Sequence, residues 1–246
     1  MTVGVTSGEE MISPGVGRRY FGESESVLVP TQAAPFRSLS SLQREQRACT
    51  RCAQAGFIAQ AHPVFSGHAG QRVLLIGQAP GPVEQDQSRP FAGRAGRQLM
   101  RWMIRAGFRD EADVRERIYM TAMTTCFPGR RPDGAGDRRP SAAEVALCTP
   151  WLDGVLALLR PQVIIPIGSL ALERFLPGRR LDDVIGRAFT ATGIPISGSP
   201  QVAPVLVPLP HPSGQSRWLN DPARLELLDR ALGTLREMVE WADPAG

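Results

Sequence analysis

Short apolar runs alternate with amphipathic stretches along most of this chain. Arg72–Gly77, centred on Val73-Leu74-Leu75-Ile76, reads as a buried strand. Ile118–Met123 and Val163–Ile167 read the same way, and residues 204–209 supply a fourth run. Helical patterns lie between them. Gly93–Ala106 places Leu99, Trp102, Met103 and Ala106 on one face. Ser141-Ala142-Ala143-Glu144 is a capping box that opens a helix running to Leu159. Gly168-Ser169 starts another helix, to Phe175, and Leu181–Ser199 has room for a short hairpin. Asp221-Pro222, a cap followed by a first-turn proline, opens the last helix, to about Trp241. Strands alternating with helices predict an α/β fold: three layers, α/β/α, around a central, mainly parallel four-stranded sheet. Ser38–Ala48 predicts a short serine-capped helix, and residues 53–71 a loop. Residues 1–37, rich in Gly, Ser, Pro and Glu, predict a flexible tail, which leaves 38–246 as a single folded domain.

The 246 residues are ample for one core. No run of 18 apolar residues occurs, so no membrane span is expected. Met1-Thr2-Val3-Gly4 starts no basic-then-apolar leader, so the expected location is cytoplasmic, and the expected state is a monomer. All 28 basic residues are arginine, and the net charge is +4. Arginine forks to phosphate and stacks on bases, which suits nucleic acid, although so mild a net charge decides nothing alone. Structural disulfides are rare in the cytosol, so the four cysteines need another role. Cys49 and Cys52 form a Cys-x2-Cys pair, Cys126 ends the second strand, and Cys148 sits in the helix that follows. Four thiolates suit a [4Fe–4S] cluster or a structural zinc. Buried free cysteine is the plainer alternative, above all for Cys148, which shares an apolar helix face with Val145 and Leu152.

Two loops carry the candidate chemistry. Gly77-Gln78-Ala79-Pro80-Gly81 follows the first strand, and His211-Pro212-Ser213 follows the last. Ligands of open α/β sheets sit at the carboxyl ends of strands, so loops 130 residues apart in sequence can face one cleft.

Further segments fall in a particular order. Arg89-Pro90-Phe91-Ala92-Gly93-Arg94-Ala95-Gly96 follows the first loop, and Tyr119-Met120-Thr121-Ala122 leads to Cys126. Pro140, Glu144 and Cys148 mark a helix start, and Arg160-Pro161 leads to a strand ending at Gly168. With the Cys-x2-Cys pair and the His-Pro loop, these resemble the iron–sulfur uracil-DNA glycosylases of families 4 and 5, from about Ser41 to Leu232. The resemblance favours the cluster over zinc. It implies a DNA partner carrying a deaminated base, base flipping, and cleavage of the N-glycosidic bond. It makes Phe91 the platform for the flipped base and His211 the donor to the leaving group. Gly77, Ala79, Pro80 and Gly81 would approach the base and sugar, and Ser213 and Gly214 a flanking phosphate. The stretch Gln215–Leu219 would enter the minor groove, with Arg217 or Leu219 as wedge and Trp218 beside it, and a core role for Trp218 and Leu219 is the equal alternative.

The chain departs from the resemblance at two positions. Gln78 stands where family 4 has glutamate, and an amide orients water but cannot take its proton. Glu84 and Asp86, the nearest carboxylates in sequence, are candidate substitutes. Ala122 stands where the family has a base-reading asparagine. That loss implies relaxed base choice, extending to hypoxanthine or xanthine, with Thr121, Thr124 or Gln78 as alternative readers. The basic loop Gly129–Arg139 is longer than usual. Relatives that cross-link to DNA have a histidine there and this loop has none, so no covalent adduct is expected. With no lysine for a Schiff base, the expected activity is monofunctional. The alternative is a damage-recognising DNA-binding protein with little or no excision.

Overall fold

The computed structural model describes Met1, residues 36–214 and residues 217–243. The predicted tail therefore lies almost wholly outside the described residues. The domain opens with α1 (Leu39–Arg47), whose Ser38 cap closes a reciprocal box with Ser41, and with α2 (Arg51–Gln54). Strand β1 (Val73–Gly77) follows, then α3 (Pro82–Gln87), α4 (Arg94–Arg105), α5 (Glu111–Arg117) and β2 (Ile118–Ala122). Next come α6 (Ala142–Leu159), β3 (Val163–Pro166), α7 (Gly168–Phe175) and α8 (Leu181–Val184). The chain continues through β4 (Ala188–Thr190), β5 (Pro195–Ile196) and β6 (Val205–Leu206). A 3-10 turn (Arg217–Asn220) and α9 (Pro222–Ala242) complete it.

The sheet order is β2-β1-β3-β6-β4-β5. The first four strands are the predicted parallel set. Among the described residues the sheet nonetheless has six strands rather than four, because the hairpin β4–β5 adds to the β6 edge antiparallel. Every residue of β1, β2 and β3 is buried. Successive side chains point to opposite faces, so helices must cover both. The helices pack as α1–α2–α6, α4–α5–α9 and the pair α7–α8, with α7 against β1 and β3. Helix α6 has the length and mean hydropathy of a membrane span. Here it buries Cys148, Trp151, Leu152, Val155 and Leu156 in the core.

The order reverses at β1, which has β2 on one side and β3 on the other. Such a switch point opens a crevice at the carboxyl ends of the strands. Both candidate loops leave the sheet there. Past its two formal strand residues, β6 stays bonded to β3: Val207 N–H donates to Ile164 O (2.9 Å) and Leu209 N–H to Pro166 O (3.0 Å). This ladder delivers His211 beside the end of β3.

Candidate active site

A cleft of about 1040 Å³ opens at that crevice. The loop Gly77–Gly81 forms its floor, held because Met123 N–H donates to Gly77 O (2.9 Å) and Thr124 N–H to Gln78 O (3.2 Å). Gln78 faces the cleft, and its side chain makes no hydrogen bond among the described residues. Gly77 pairs in register with Ala122, whose methyl also lines the cleft. Thr121 lines it too. Thr124 does not, and its hydroxyl is buried without a partner among the described residues.

Phe91 forms one wall. Its backbone is left-handed (φ 53°), a conformation strained for a bulky residue. Two glycines permit it. A Cβ on Gly77 would lie 3.0 Å from Phe91 Cζ, and a Cβ on Gly96 only 1.8 Å from Phe91 O. The ring therefore reaches the end of β1 because both glycines are bare.

His211 also lines the cleft, together with Pro212, Ser213 and Gly214. Ser213 N–H donates to His211 Nδ1 (3.2 Å), and the Ser213 hydroxyl lies 2.9 Å from the same atom. Nδ1 is thus the acceptor, which leaves the ring proton on Nε2. Burial holds the imidazole below its ordinary pKa, so it is neutral at neutral pH. Gly168, in the left-handed region (φ 76°), backs the ring: a Cβ there would lie 3.3 Å from His211 Cβ. The site therefore brings a neutral imidazole and an aromatic ring to one cleft.

The two candidate water activators fare differently. Glu84 reaches the cleft, but both oxygens are occupied: Gly81 N–H donates to Oε2 (3.0 Å) and Gly93 N–H to Oε1 (2.7 Å). It staples the floor loop to the start of α4. Asp86 sits exposed on α3, outside the cleft lining, because the helix turns it to solvent. Trp218 also differs from its expected place. It is only 8% exposed, and its indole N–H donates to Asp182 (2.6 Å), so it anchors the 3-10 turn in the core instead of facing DNA. The anchored turn brings Leu219 to the cleft rim. Gln215, Ser216 and the Arg217 side chain lie outside the described residues.

Residues not singled out from sequence also enter the site. Arg94, Arg97 and Arg101 line the cleft from α4, which has no acidic residue. The spacing i, i+3, i+7 was the available signal for this stripe. The loop 129–139 is an ordered hairpin: Arg131 N–H donates to Gly136 O (2.8 Å) and Arg138 N–H to Gly129 O (2.9 Å). It places Arg130, Asp137 and Arg138 at the cleft. Arg138 forks onto Glu144 with two bonds of 2.7 Å, and Ser141 adds its N–H and hydroxyl to the same carboxylate. The Arg138 bonds hold Glu144 below the usual carboxylate range, against a burial that leaves its side chain 3% exposed.

Arg138→Ala is expected to cost roughly 3 kcal/mol, the low end for breaking a buried pair, since Ser141 still serves Glu144. A carboxylate with a depressed folded pKa stabilises above its unfolded value, near 4.3, and that contribution is lost as pH falls below it. The deficit should therefore be full at pH 7 and shrink below about pH 4. Urea denaturation of both proteins at the two pH values checks this.

The four cysteines come from three segments, the Cys49–Cys52 pair, Cys126 and Cys148, with Cys49, Cys52 and Cys126 half-buried and Cys148 buried. All are free, and neighbouring thiols add to the burial that disfavours ionisation of Cys52, Cys126 and Cys148. Burial pushes the Cys126 thiol up to about 12 and Cys52 up to about 11. Among the described residues no group of three or more His, Cys, Asp or Glu stands at ion-holding spacing. The donor set nevertheless fits a cation in kind, because four clustered thiols become thiolates most readily on a metal.

The profile of the uracil DNA glycosylase superfamily matches residues 65–236. The chain belongs to this superfamily. The type-4 uracil-DNA glycosylase of Thermotoga maritima is 30% identical over 118 residues, covering 48% of this chain and 56% of the relative. That of Pyrobaculum aerophilum is 31% identical over 146 residues, 57% of this chain and 68% of the relative. A type-5 uracil-DNA glycosylase of the same organism is 28% identical over 120 residues, 45% and 50% of the two chains. The chain thus spans a little over half the length of the Thermotoga relative. As a uracil-DNA glycosylase superfamily member, it has its cleft where the sheet order reverses and within the matched segment.

Proposed function

We propose that this protein is a monofunctional DNA glycosylase. It flips a deaminated base, uracil first, out of DNA and hydrolyses the N-glycosidic bond to leave an abasic site. The observation that carries this reading is that Phe91 and the neutral His211 line one cleft. An aromatic face suits a flipped base. As the C1′–N1 bond breaks, its electron pair moves onto the base and gathers at O2. A neutral Nε2–H donor stabilises that charge as it forms. Water completes the sugar at C1′, and its proton is released to leave neutral uracil. Pro80, Ala79 and Gly81 hold the base and sugar edge through backbone, and Ser213 and Gly214 a flanking phosphate. Arg94, Arg97 and Arg101 extend a phosphate track from the cleft, and Leu219 fills the gap left by the base. The enzyme acts as a cytoplasmic monomer.

Cys49, Cys52, Cys126 and Cys148 hold a [4Fe–4S] cluster, with zinc the alternative. Either group would tie three distant segments together as a structural cross-link. Ala122 offers no amide to the base, and a lost bidentate contact removes roughly 1–3 kcal/mol of discrimination. Base choice therefore extends to hypoxanthine or xanthine. Gln78 and Ala122 also favour a second reading, a damage-binding protein that scarcely cuts.

The test is incubation of purified protein with oligonucleotides carrying uracil, hypoxanthine or xanthine, followed by alkaline cleavage of abasic sites. Cutting at uracil, with measurable cutting at another deaminated base, is expected. Binding without cutting would establish the second reading. Cutting confined to uracil would remove the relaxed base choice. A broad visible absorbance separates cluster from colourless zinc.

A further inference from the structure

Hydrolysis leaves one demand unmet by the site as described. Gln78 cannot take a proton, both oxygens of Glu84 are bonded to backbone N–H groups, and Asp86 is outside the cleft. Among the described residues, the only other carboxylate lining the cleft is Asp137. It comes from the far strand of the hairpin 129–139, where Asp137 bridges Arg130. Its Oδ2 lies 3.2 Å from the point a Cβ on Gly81 would occupy, so it stands against the floor loop three residues from Gln78. Its one partner among the described residues is Arg130, at 3.7 Å, and neither oxygen accepts a hydrogen bond there. The side chain is 37% exposed, so water reaches it.

We propose that Asp137 is the carboxylate that positions the attacking water and takes its proton. The inference rests on the glycosylase reading. As the C1′–N1 bond breaks, the water oxygen bonds to C1′ and one water proton passes to Asp137. The electron pair of the broken bond leaves on the base toward His211, and the proton then goes through solvent to the departing base. No other reactant is needed. The hairpin that holds Asp137 is fixed at its root, where Arg138 forks onto Glu144 and donates to Phe57 O (3.1 Å). The acid thus sits on a braced strand rather than a free tip. Burial raises its pKa above the ordinary carboxylate value, Arg130 opposes that, and Glu84 adds to it. A raised pKa makes a better proton acceptor while the group stays ionised at neutral pH. The charged groups that act on it are Arg130 of the hairpin and Glu84 of α3, and the same cleft is lined by Arg138, by Arg94, Arg97 and Arg101 of α4, and by neutral His211.

The experiment is single-turnover excision from a uracil oligonucleotide as a function of pH, with wild type, Asp137→Asn and Arg130→Gln. Asp137→Asn is nearly isosteric, and thermal unfolding checks that it folds. It is expected to slow excision by roughly 10²-fold, the low end for a general base, without weakening DNA binding. The wild-type rate should fall on the acid side as Asp137 is protonated, and the variant should lose that limb. Arg130→Gln removes the group that lowers the Asp137 pKa, so its acid limb should move to higher pH. A merely structural carboxylate would not shift it. A folded Asp137→Asn protein with the wild-type rate and pH profile overturns the assignment and leaves the glycosylase reading standing. A wild-type protein that excises nothing overturns both.

Discussion

His211→Ala is expected to slow uracil excision by roughly 10²–10³-fold, the range for losing one donor to a developing oxyanion. DNA affinity should change by no more than about threefold, because that donor acts on charge present only as the bond breaks. The asymmetry follows from the geometry. Ser213 N–H holds Nδ1 as an acceptor, so the proton on Nε2 is fixed before DNA arrives. Burial keeps the ring neutral, so the excision rate should show no histidine step near pH 6.5. The same shift has a stability consequence of definite sign. The unfolded chain binds a proton at 6.5 while the folded ring resists it, so stability should fall as pH drops below that value. The alanine variant should lack this decline. Single-turnover rates beside binding isotherms decide the matter. A folded His211→Ala protein that cuts at the wild-type rate would move the leaving-group role elsewhere.

The central strands were legible because burial on both faces forces unbroken apolar runs, as in Val73-Leu74-Leu75-Ile76. The Ser141–Glu144 box marked the start of α6 for a local reason, since both partners lie within four residues. What was not legible depends on partners far away in sequence. Trp218 looked like a DNA contact until Asp182, 36 residues upstream, proved to hold its indole. Glu84 looked like a free acid, although Gly93 N–H lies within its reach only once the chain turns back. Helix α3 is six residues long, too short for its own periodicity, and α5 had only the Asp110 cap to announce it. The hairpin 129–139 buries little apolar surface, so no alternation betrayed it. Glycine turns and the Arg138–Glu144 fork set its register. Asp137 was hidden for the same reason: an acid among arginines in a glycine-rich stretch looks like solvated loop.

Gly96→Ala should reverse the usual sign of a helix glycine substitution. In an open helix interior, alanine is better than glycine by about 0.8–1.0 kcal/mol. Gly233 in α9 meets nothing within 4 Å of an added Cβ, so Gly233→Ala should stabilise by about that much. At Gly96 the added Cβ would lie 1.8 Å from Phe91 O and 2.2 Å from Phe91 C, both backbone atoms that no rotamer change can move. Overpacking of this kind costs roughly 1–3 kcal/mol or more, which outweighs the propensity gain. The strain falls on Phe91, already held left-handed, and relief must shift the ring from its place over Gly77. Base–aromatic stacking contributes about 1–3 kcal/mol, so displacing the platform should lower excision by roughly 5- to 150-fold. Chemical denaturation and single-turnover rates on the two alanine variants test both halves together. If Gly96→Ala proved as stable and as active as Gly233→Ala, the base platform could not depend on the contact between Gly96 and the Phe91 backbone.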